Sequence, residues 1–371
     1  MTKTVYSDIS GDMPDKAQHF FAAANTYDGF VSFFSEIFDT ETLNKLIVLK
    51  GGPGVGKSTI MKNVAKAAIE RGFSPVCYHC SSDPSSLDGV LVKELSFAVI
   101  DGTAPHTFEP KFAGAKGKII NLGEAWDTRL LEESKDKICS LSGIKENCYE
   151  RAYLLFAAAE NVIKEEMSIS ALCVNYEKIR RASDKFASKH FKNASHHTKI
   201  RHIVTSACSK SGKVRFFTPE ESALHNYFVK DVKKTADVFF KLLYENALGR
   251  VPEMCVGVHE LNPDRINCLY FPTLSLSVSV YDDEYCAGLE KAGKEYKIIN
   301  LGRFFDLALY RKSRAKYRFA EKCEKSLMKE AFSELKTAGE IHAELEKIYG
   351  EATDYEKITL YENKLIKELF R

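Results

Sequence analysis

The stretch LIVLKGGPGVGKSTIMKNVAKAAIERG, residues 46–72, joins three local signals in one segment. It begins with a short apolar run, which is typical of a buried parallel strand. A glycine-rich turn follows, and after it apolar residues recur at helical spacing up to Gly72, where a helix is expected to stop. The segment therefore predicts a strand, a glycine-rich loop and a helix in that order.

The loop has the spacing Gly51-x-x-x-x-Gly56-Lys57-Ser58, which is that of a phosphate-binding loop. Glycines let successive backbone N–H groups surround phosphate oxygens, and the helix N-terminus adds its positive end. In this chemistry Lys57 reaches the β- and γ-phosphates, and the Ser58 hydroxyl binds Mg²⁺. The residues predicted to bind the nucleotide are Gly51, Gly52, Pro53, Gly54, Val55, Gly56, Lys57, Ser58 and Thr59.

A carboxylate that holds the magnesium ion is expected at the end of a second apolar strand near the loop. Residues 95–100 are mostly apolar, and they end at Asp101 with Gly102 behind it. Asp101 is therefore predicted to be the second magnesium ligand beside Ser58. The alternative is an aspartate that only starts a turn.

Two further aspartates lie between these motifs, in SDPSSLDGV at residues 82–90. Asp83 and Asp88 are candidates for positioning a catalytic water, so both join Lys57 and Asp101 as predicted catalytic residues. The alternatives are that Asp83 makes a turn and that Asp88 fills an exposed position of a short helix. His106 follows Asp101 closely, and an ordinary loop histidine is the preferred interpretation.

The hexapeptide KIINLG occurs twice, at residues 118–123 and 297–302, and YEKI occurs at 176–179 and 355–358. Both pairs have the same offset, since 297 minus 118 and 355 minus 176 each give 179. This predicts a tandem duplication of one α/β unit, with a first repeat at 1–194 and a second repeat at 195–371. KIINLG is predicted to be a buried strand in each repeat, and each repeat ends in helices, at about 125–191 and 303–371.

The second repeat has lost the loop's chemistry. GGPGVGKSTI is replaced by DVKKTADV at residues 231–238, which has no glycine but contains Asp231. Lys234 and Thr235 are all that persists of Lys57 and Ser58. The three aspartates align with Asn262, Asn267 and Val280. The sequence therefore predicts a second repeat that is structural or regulatory and does not bind nucleotide.

Composition limits the partners. The net charge of +2 argues against nucleic acid as the main partner. The sequence contains no signal-peptide core and no long apolar run, which predicts a cytoplasmic protein without a membrane partner. Its ten cysteines are scattered, which favours buried thiols over disulfides. Cys77 and Cys80 lie on a predicted strand, where residues three apart face opposite ways and do not share a metal.

The helical extensions carry charges of both signs, as solvated helix faces do, and leave open a protein partner. They also contain arginines that could reach a phosphate, Arg129, Arg180 and Arg181, although the sequence fixes none of them in that role.

With GGPGVGKST and FAVID, the first repeat resembles the P-loop NTPase superfamily. With YHCSSDPSSLDGV and VIDGTAPH as well, nearly the whole chain resembles a bacterial family of ATP-binding proteins with two tandem P-loop-like units. The resemblance implies two mainly parallel sheets flanked by helices, with ATP and Mg²⁺ as ligands. It implies no further substrate.

Three functions follow as expectations. The first is a magnesium-dependent ATPase that uses only the first repeat. The second is a small-molecule or nucleotide kinase, with its acceptor near residues 79–89 and His106. The third is a nucleotide-sensing module with little turnover. Release of phosphate without an acceptor separates the first function from the other two.

Overall fold

The computed structural model describes residues 16–104, 107–192 and 197–371, so His106 lies outside the described residues. The fold is α/β, with two six-stranded sheets, each mixed and mostly parallel, and flanking helices. This confirms the predicted class. In the part of the chain that the structure describes, no helix has the length and apolar content that a membrane crossing requires.

The first sheet has the strand order β1-β5-β6-β7-β4-β8, in which only β6 runs antiparallel to its neighbours. The elements up to the second sheet are β1 (Gln18–Phe21), β2 (Ala23–Thr26), β3 (Gly29–Ser32), α1 (Phe34–Ile37), β4 (Lys45–Lys50), α2 (Lys57–Glu70), β5 (Val76–His79), β6 (Leu87–Val92), β7 (Phe97–Asp101), β8 (Gly117–Asn121), α3 (Thr128–Glu133), α4 (Lys135–Ala171) and α5 (Tyr176–His190).

The second sheet has the order β16-β12-β15-β14-β13-β9, and this order, read from β9 to β16, corresponds to the first sheet strand by strand. Its antiparallel strand is β14, at the place of β6. The remaining elements are β9 (Lys199–Ile203), β10 (Ser206–Ser209), β11 (Gly212–Arg215), α6 (Thr218–Ser222), β12 (His225–Lys230), α7 (Ala236–Ala247), β13 (Glu253–Val258), β14 (Ile266–Phe271), β15 (Leu276–Val280), α8 (Asp283–Lys291), β16 (Lys297–Asn300), α9 (Leu307–Glu351) and α10 (Tyr355–Leu369).

Strand β4 is an inner strand of the first sheet, as its apolar sequence predicts. Residues Leu46 to Leu49 are fully buried because β7 and β8 pair with its two edges and helices cover its faces. Helix α2 buries Ile60, Met61 and Val64 against the sheet, at helical spacing. It ends before Gly72, whose φ of +84° is the left-handed conformation that glycine adopts easily.

The repeated hexapeptide is not a buried strand, and that prediction was wrong. Strands β8 and β16 are at the edges of their sheets, with Ile119 and Ile298 exposed by 44% and 43%. An edge strand has a neighbour on one side only, so its side chains lose much of their cover. The buried residue is the leucine that follows each strand, Leu122 or Leu301.

The rest of the hexapeptide forms the same turn at both of its occurrences. The side chain of Asn121 accepts a hydrogen bond from the Gly123 N–H at 3.1 Å, and Asn300 does the same for Gly302 at 2.9 Å. A side chain at Gly123 would collide with Trp126, at 2.9 Å. The Asn-Leu-Gly portion is therefore explained by turn capping and close packing.

The chain divides into two compact units, each assembled from separate segments. Unit 1 contains the described residues up to Leu154, together with Ser206–Phe216 and Glu330–Arg371; unit 2 contains Leu155–Thr205 and Phe217–Lys329. This division differs from the predicted boundary at residues 194 and 195.

The difference arises from the packing of helices α5 and α10. In unit 1, α10 buries Ile358, Leu365 and Leu369 in the core formed by α2 and the first sheet. In unit 2, α5 buries Ile179 and Phe186 in the core formed by α7 and the second sheet. Helix α10 thus completes the core that contains the first sheet, and α5 completes the core that contains the second sheet.

Candidate functional site

The glycine-rich loop joins the carboxyl end of β4 to the first turn of α2. Gly54 and Gly56 have φ values of +71° and +95°, which residues with a side chain adopt at a cost. Gly56 precedes α2 and offers its first turn no capping side chain. The backbone N–H groups at this helix N-terminus are therefore available to an anion held in the loop.

Lys57 turns its ammonium group back into the loop. Its Nζ donates hydrogen bonds to the carbonyl oxygens of Gly51 at 2.5 Å and Gly52 at 2.9 Å. It also lies 3.5 Å from Oδ2 of Asp101, and both side chains are largely buried. The structure thus brings together the cation and the carboxylate that the sequence singled out.

Asp101 is the last residue of β7 and lies beside Leu49 in the parallel pairing with β4. Thr103, which sequence reasoning missed, connects it to the loop: its N–H donates to Asp101 at 2.8 Å and its hydroxyl donates to the Gly51 carbonyl at 2.9 Å. Burial raises the pKa of Asp101, Lys57 opposes this rise, and the charge of Asp88 adds to it.

Ser58 contacts the start of β6, where Asp88 lies. The Ser58 hydroxyl accepts a hydrogen bond from the Leu87 N–H at 2.9 Å, and Asp88 is the next residue. Asp88 is buried on a strand, so the alternative of an exposed helix position was wrong. A short helix was expected there because a Ser-Asp-Pro-Ser turn resembles a helix start; strand pairing with β5 and β7 prevails.

The donor atoms suit a magnesium ion. The Ser58 hydroxyl and the Asp101 carboxylate are oxygen ligands of the kind that Mg²⁺ takes together with phosphate oxygens. Within residues 16–104, 107–192 and 197–371, no group of three or more His, Cys, Asp or Glu side chains is arranged to hold a metal by itself. A magnesium ion at Ser58 and Asp101 would take its other oxygens from a bound phosphate and from water.

Asp83 forms the turn before β6 and also binds a distant lysine. Its Oδ1 accepts the Ser85 hydroxyl at 2.7 Å, and its Oδ2 is 2.6 Å from the Lys210 Nζ. Burial would raise the pKa of Asp83, but the hydrogen bonds from Lys210 and Ser85 outweigh it and hold the pKa below its usual value. Asp83 is therefore an ionised, engaged carboxylate.

The outer side of the loop packs against the end of α9 and the start of α10, within unit 1. A methyl group on Gly54 would lie 2.4 Å from the backbone oxygen of Glu346, and the Tyr355 hydroxyl donates to the Gly54 carbonyl at 2.9 Å. A methyl group on Gly52 would lie 3.1 to 3.3 Å from the rings of Trp126 and Tyr349. The loop glycines thus also permit close approach of another part of the chain.

Two side chains on α9, His342 and Glu346, have shifted pKa values. Burial, with help from Lys145, lowers the pKa of His342 to about 4, so its imidazole is neutral near pH 7. Burial raises the pKa of Glu346. The charges of Lys57 and Lys210 act to lower the pKa of each group, and the charge of Asp83 acts to raise it.

In unit 2, the segment that aligns with the loop is residues 231–238, and its own side chains bind its backbone N–H groups. Oδ1 of Asp231 accepts the backbone N–H groups of Thr235 at 2.7 Å and Ala236 at 2.8 Å, at the start of α7. Lys234 binds Glu324 at 2.9 Å and lies 3.5 Å from the buried Glu166. An internal carboxylate thus takes the N–H groups that would otherwise face a phosphate.

The remaining candidates lie on other elements of the fold. Arg129 is exposed on α3 and lies 4.0 Å from Glu133, whereas Arg180 and Arg181 are on α5 in unit 2. Cys77 is buried on β5, and burial raises the pKa of its thiol to about 12.

Comparisons with family models, with curated proteins and with solved structures found no match for this chain.

Proposed function

We propose that the chain binds MgATP at one site, the loop of residues 51–59, and hydrolyses it. The observation that supports this most is the position of Lys57. Its ammonium group lies inside a strand–loop–helix junction, on the Gly51 and Gly52 carbonyls and 3.5 Å from Asp101. A bound polyphosphate offers the same ammonium group stronger, charged acceptors than these carbonyls.

Different residues of the chain bind the phosphates, hold the magnesium ion and orient the attacking water. Backbone N–H groups of the loop and of α2 hold the phosphates, and Lys57 neutralises their outer charge. Ser58 and Asp101 hold the magnesium ion, which supplies further charge neutralisation when bound. Asp88 is the better candidate to orient the attacking water, because it acts electrostatically on Asp101, whereas Asp83 is engaged by Lys210.

The proposal includes a tandem duplication with a second repeat that does not bind nucleotide. The corresponding strand orders of the two sheets support the duplication. The Asp231 carboxylate on the N-terminus of α7 supports the loss of binding, since it repels an incoming phosphate and takes its hydrogen bonds. A cytoplasmic location belongs to the same proposal, and all ten cysteines are free thiols, as reducing compartments favour.

The test is phosphate release by the full chain with MgATP and no added acceptor. We expect release that depends on Mg²⁺ and falls at least about tenfold in Lys57→Ala, since the lysine binds the transferred phosphoryl group. Lys66→Ala, at an exposed position of α2, is the matched control and should match the wild type.

The other outcomes separate the alternatives. Turnover only with an added acceptor would indicate a kinase, and tight MgATP binding without turnover would indicate a sensing module. A chain that binds no nucleotide would contradict the proposal altogether.

A further inference from the structure

Lys210 connects the turn between β10 and β11 to the candidate site, entirely within unit 1. Its backbone N–H donates to the Ser82 carbonyl at 3.0 Å, and its Nζ lies 2.6 Å from Asp83. Its side chain crosses α9 at Gly339, where an added methyl group would come within 2.8 Å of Cδ of the lysine. Three separate contacts therefore fix where this lysine lies.

Lys210 and the loop contact the same side of α9. Gly339, His342 and Glu346 follow one another at helical spacing, so they share one side of α9. Lys210 crosses that side at Gly339, and the loop meets it at Glu346, about 10 Å further along the helix axis. The pKa values of His342 and Glu346 respond to both Lys57 and Lys210, in agreement with this arrangement.

We propose that Lys210 is a second phosphate-binding cation of the MgATP site, held by Asp83 until the terminal phosphate binds. The inference rests on the proposed function and deepens it, because a cation at the terminal phosphate makes the site select nucleoside triphosphates over diphosphates. Lys57 belongs to the loop itself, whereas Lys210 belongs to the hairpin formed by β10 and β11.

Asp83 stabilises the charge of Lys210 before nucleotide binds. A partly buried ammonium group without an anion is costly, and the contact with Asp83 removes that cost before nucleotide binds. When nucleotide binds, the Lys210 ammonium group moves from the Asp83 carboxylate to the terminal phosphate or contacts both. Asp83 is then a positioning residue that acts through Lys210.

The experiment measures binding of a non-hydrolysable MgATP analogue and of MgADP to the full chain by calorimetry. Lys210→Gln is the main variant, because glutamine still donates a hydrogen bond to Asp83 but carries no charge. We expect the triphosphate analogue to bind about tenfold more weakly, as loss of one charge-assisted hydrogen bond predicts, while MgADP binding changes less than about twofold. Lys210→Arg should restore the preference for the triphosphate.

Lys213→Met, on β11 of the same hairpin, is the matched control and should bind both nucleotides as the wild type does. Equal losses for both nucleotides in Lys210→Gln, or no loss, would overturn the inference and leave the proposed function standing. Equal losses with a lowered melting temperature would assign Lys210 a purely structural role. A wild-type chain that binds neither nucleotide would overturn the proposed function and this inference together.

Discussion

Gly54 is a position where both conformation and space exclude a side chain. Its φ is +71°, and an added methyl group would lie 2.4 Å from the Glu346 backbone oxygen. Gly72 has a similar φ of +84° but open space around it. Gly54→Ala should therefore lower the free energy of unfolding by more than Gly72→Ala, which carries only the conformational cost of about 1–2 kcal/mol. Equal losses in chemical denaturation would show that the loop does not pack tightly against α9.

Glu166 in unit 2 gives a prediction about pH. Burial raises its pKa to about 7, with Lys234 opposing and Glu324 adding to the rise. The folded chain thus keeps a proton that the unfolded chain releases near pH 4.5, so stability falls as the pH rises from about 4.5 to about 7. Glu166→Gln should flatten this fall in denaturation measured across that range, and Glu165→Gln, at the exposed neighbouring position, should not. The same slope in wild type and Glu166→Gln would contradict the assignment.

Sequence reasoning found the residues whose positions are set locally. Lys57 and Ser58 follow from one strand–loop–helix segment, and Asp101 follows from the end of an apolar strand. Lys210 and Glu346 gave no such signal, because packing of distant segments brings Lys210 to Asp83 and Glu346 to the loop. Only the three-dimensional fold could identify them.

Among the elements, the repeated strand and the terminal helices show what an amino-acid pattern cannot decide. An apolar run predicts a strand, but its burial depends on whether a neighbour pairs with each edge, and β8 and β16 have a neighbour on one edge only. An amphipathic helix likewise predicts a packed face without identifying the core that it covers. For α5 that core contains the second sheet, and for α10 it contains the first sheet.

Helix α10 should contribute strongly to the stability of unit 1. Leu365 is buried in the core around α2, so Leu365→Ala should cost about 2–5 kcal/mol of unfolding free energy through lost burial and the cavity left behind. Leu360 lies on the same helix and is mostly exposed, so Leu360→Ala should cost less than about 0.5 kcal/mol. Urea denaturation of the full chain compares the two variants. Similar losses would mean that α10 does not pack in this core.

For the whole molecule, the sequence predicted two α/β halves and the structure has two sheets with corresponding strand orders. The compact units, however, are each built from separate segments of the chain. A cut at residues 194 and 195 would separate α2 from α10 and α5 from α7, and would expose both cores. The two halves of the chain therefore have to be compared by substitutions in the full chain, since fragments lose part of their cores.

The most direct test of a single nucleotide site is the number of MgATP molecules bound per full chain, determined by equilibrium dialysis with a non-hydrolysable analogue. We predict one for the wild type, none for Lys57→Ala, and one for Lys234→Ala, the corresponding lysine of the second repeat. Two bound nucleotides in the wild type, or one retained in Lys57→Ala, would contradict a single site in the loop of residues 51–59.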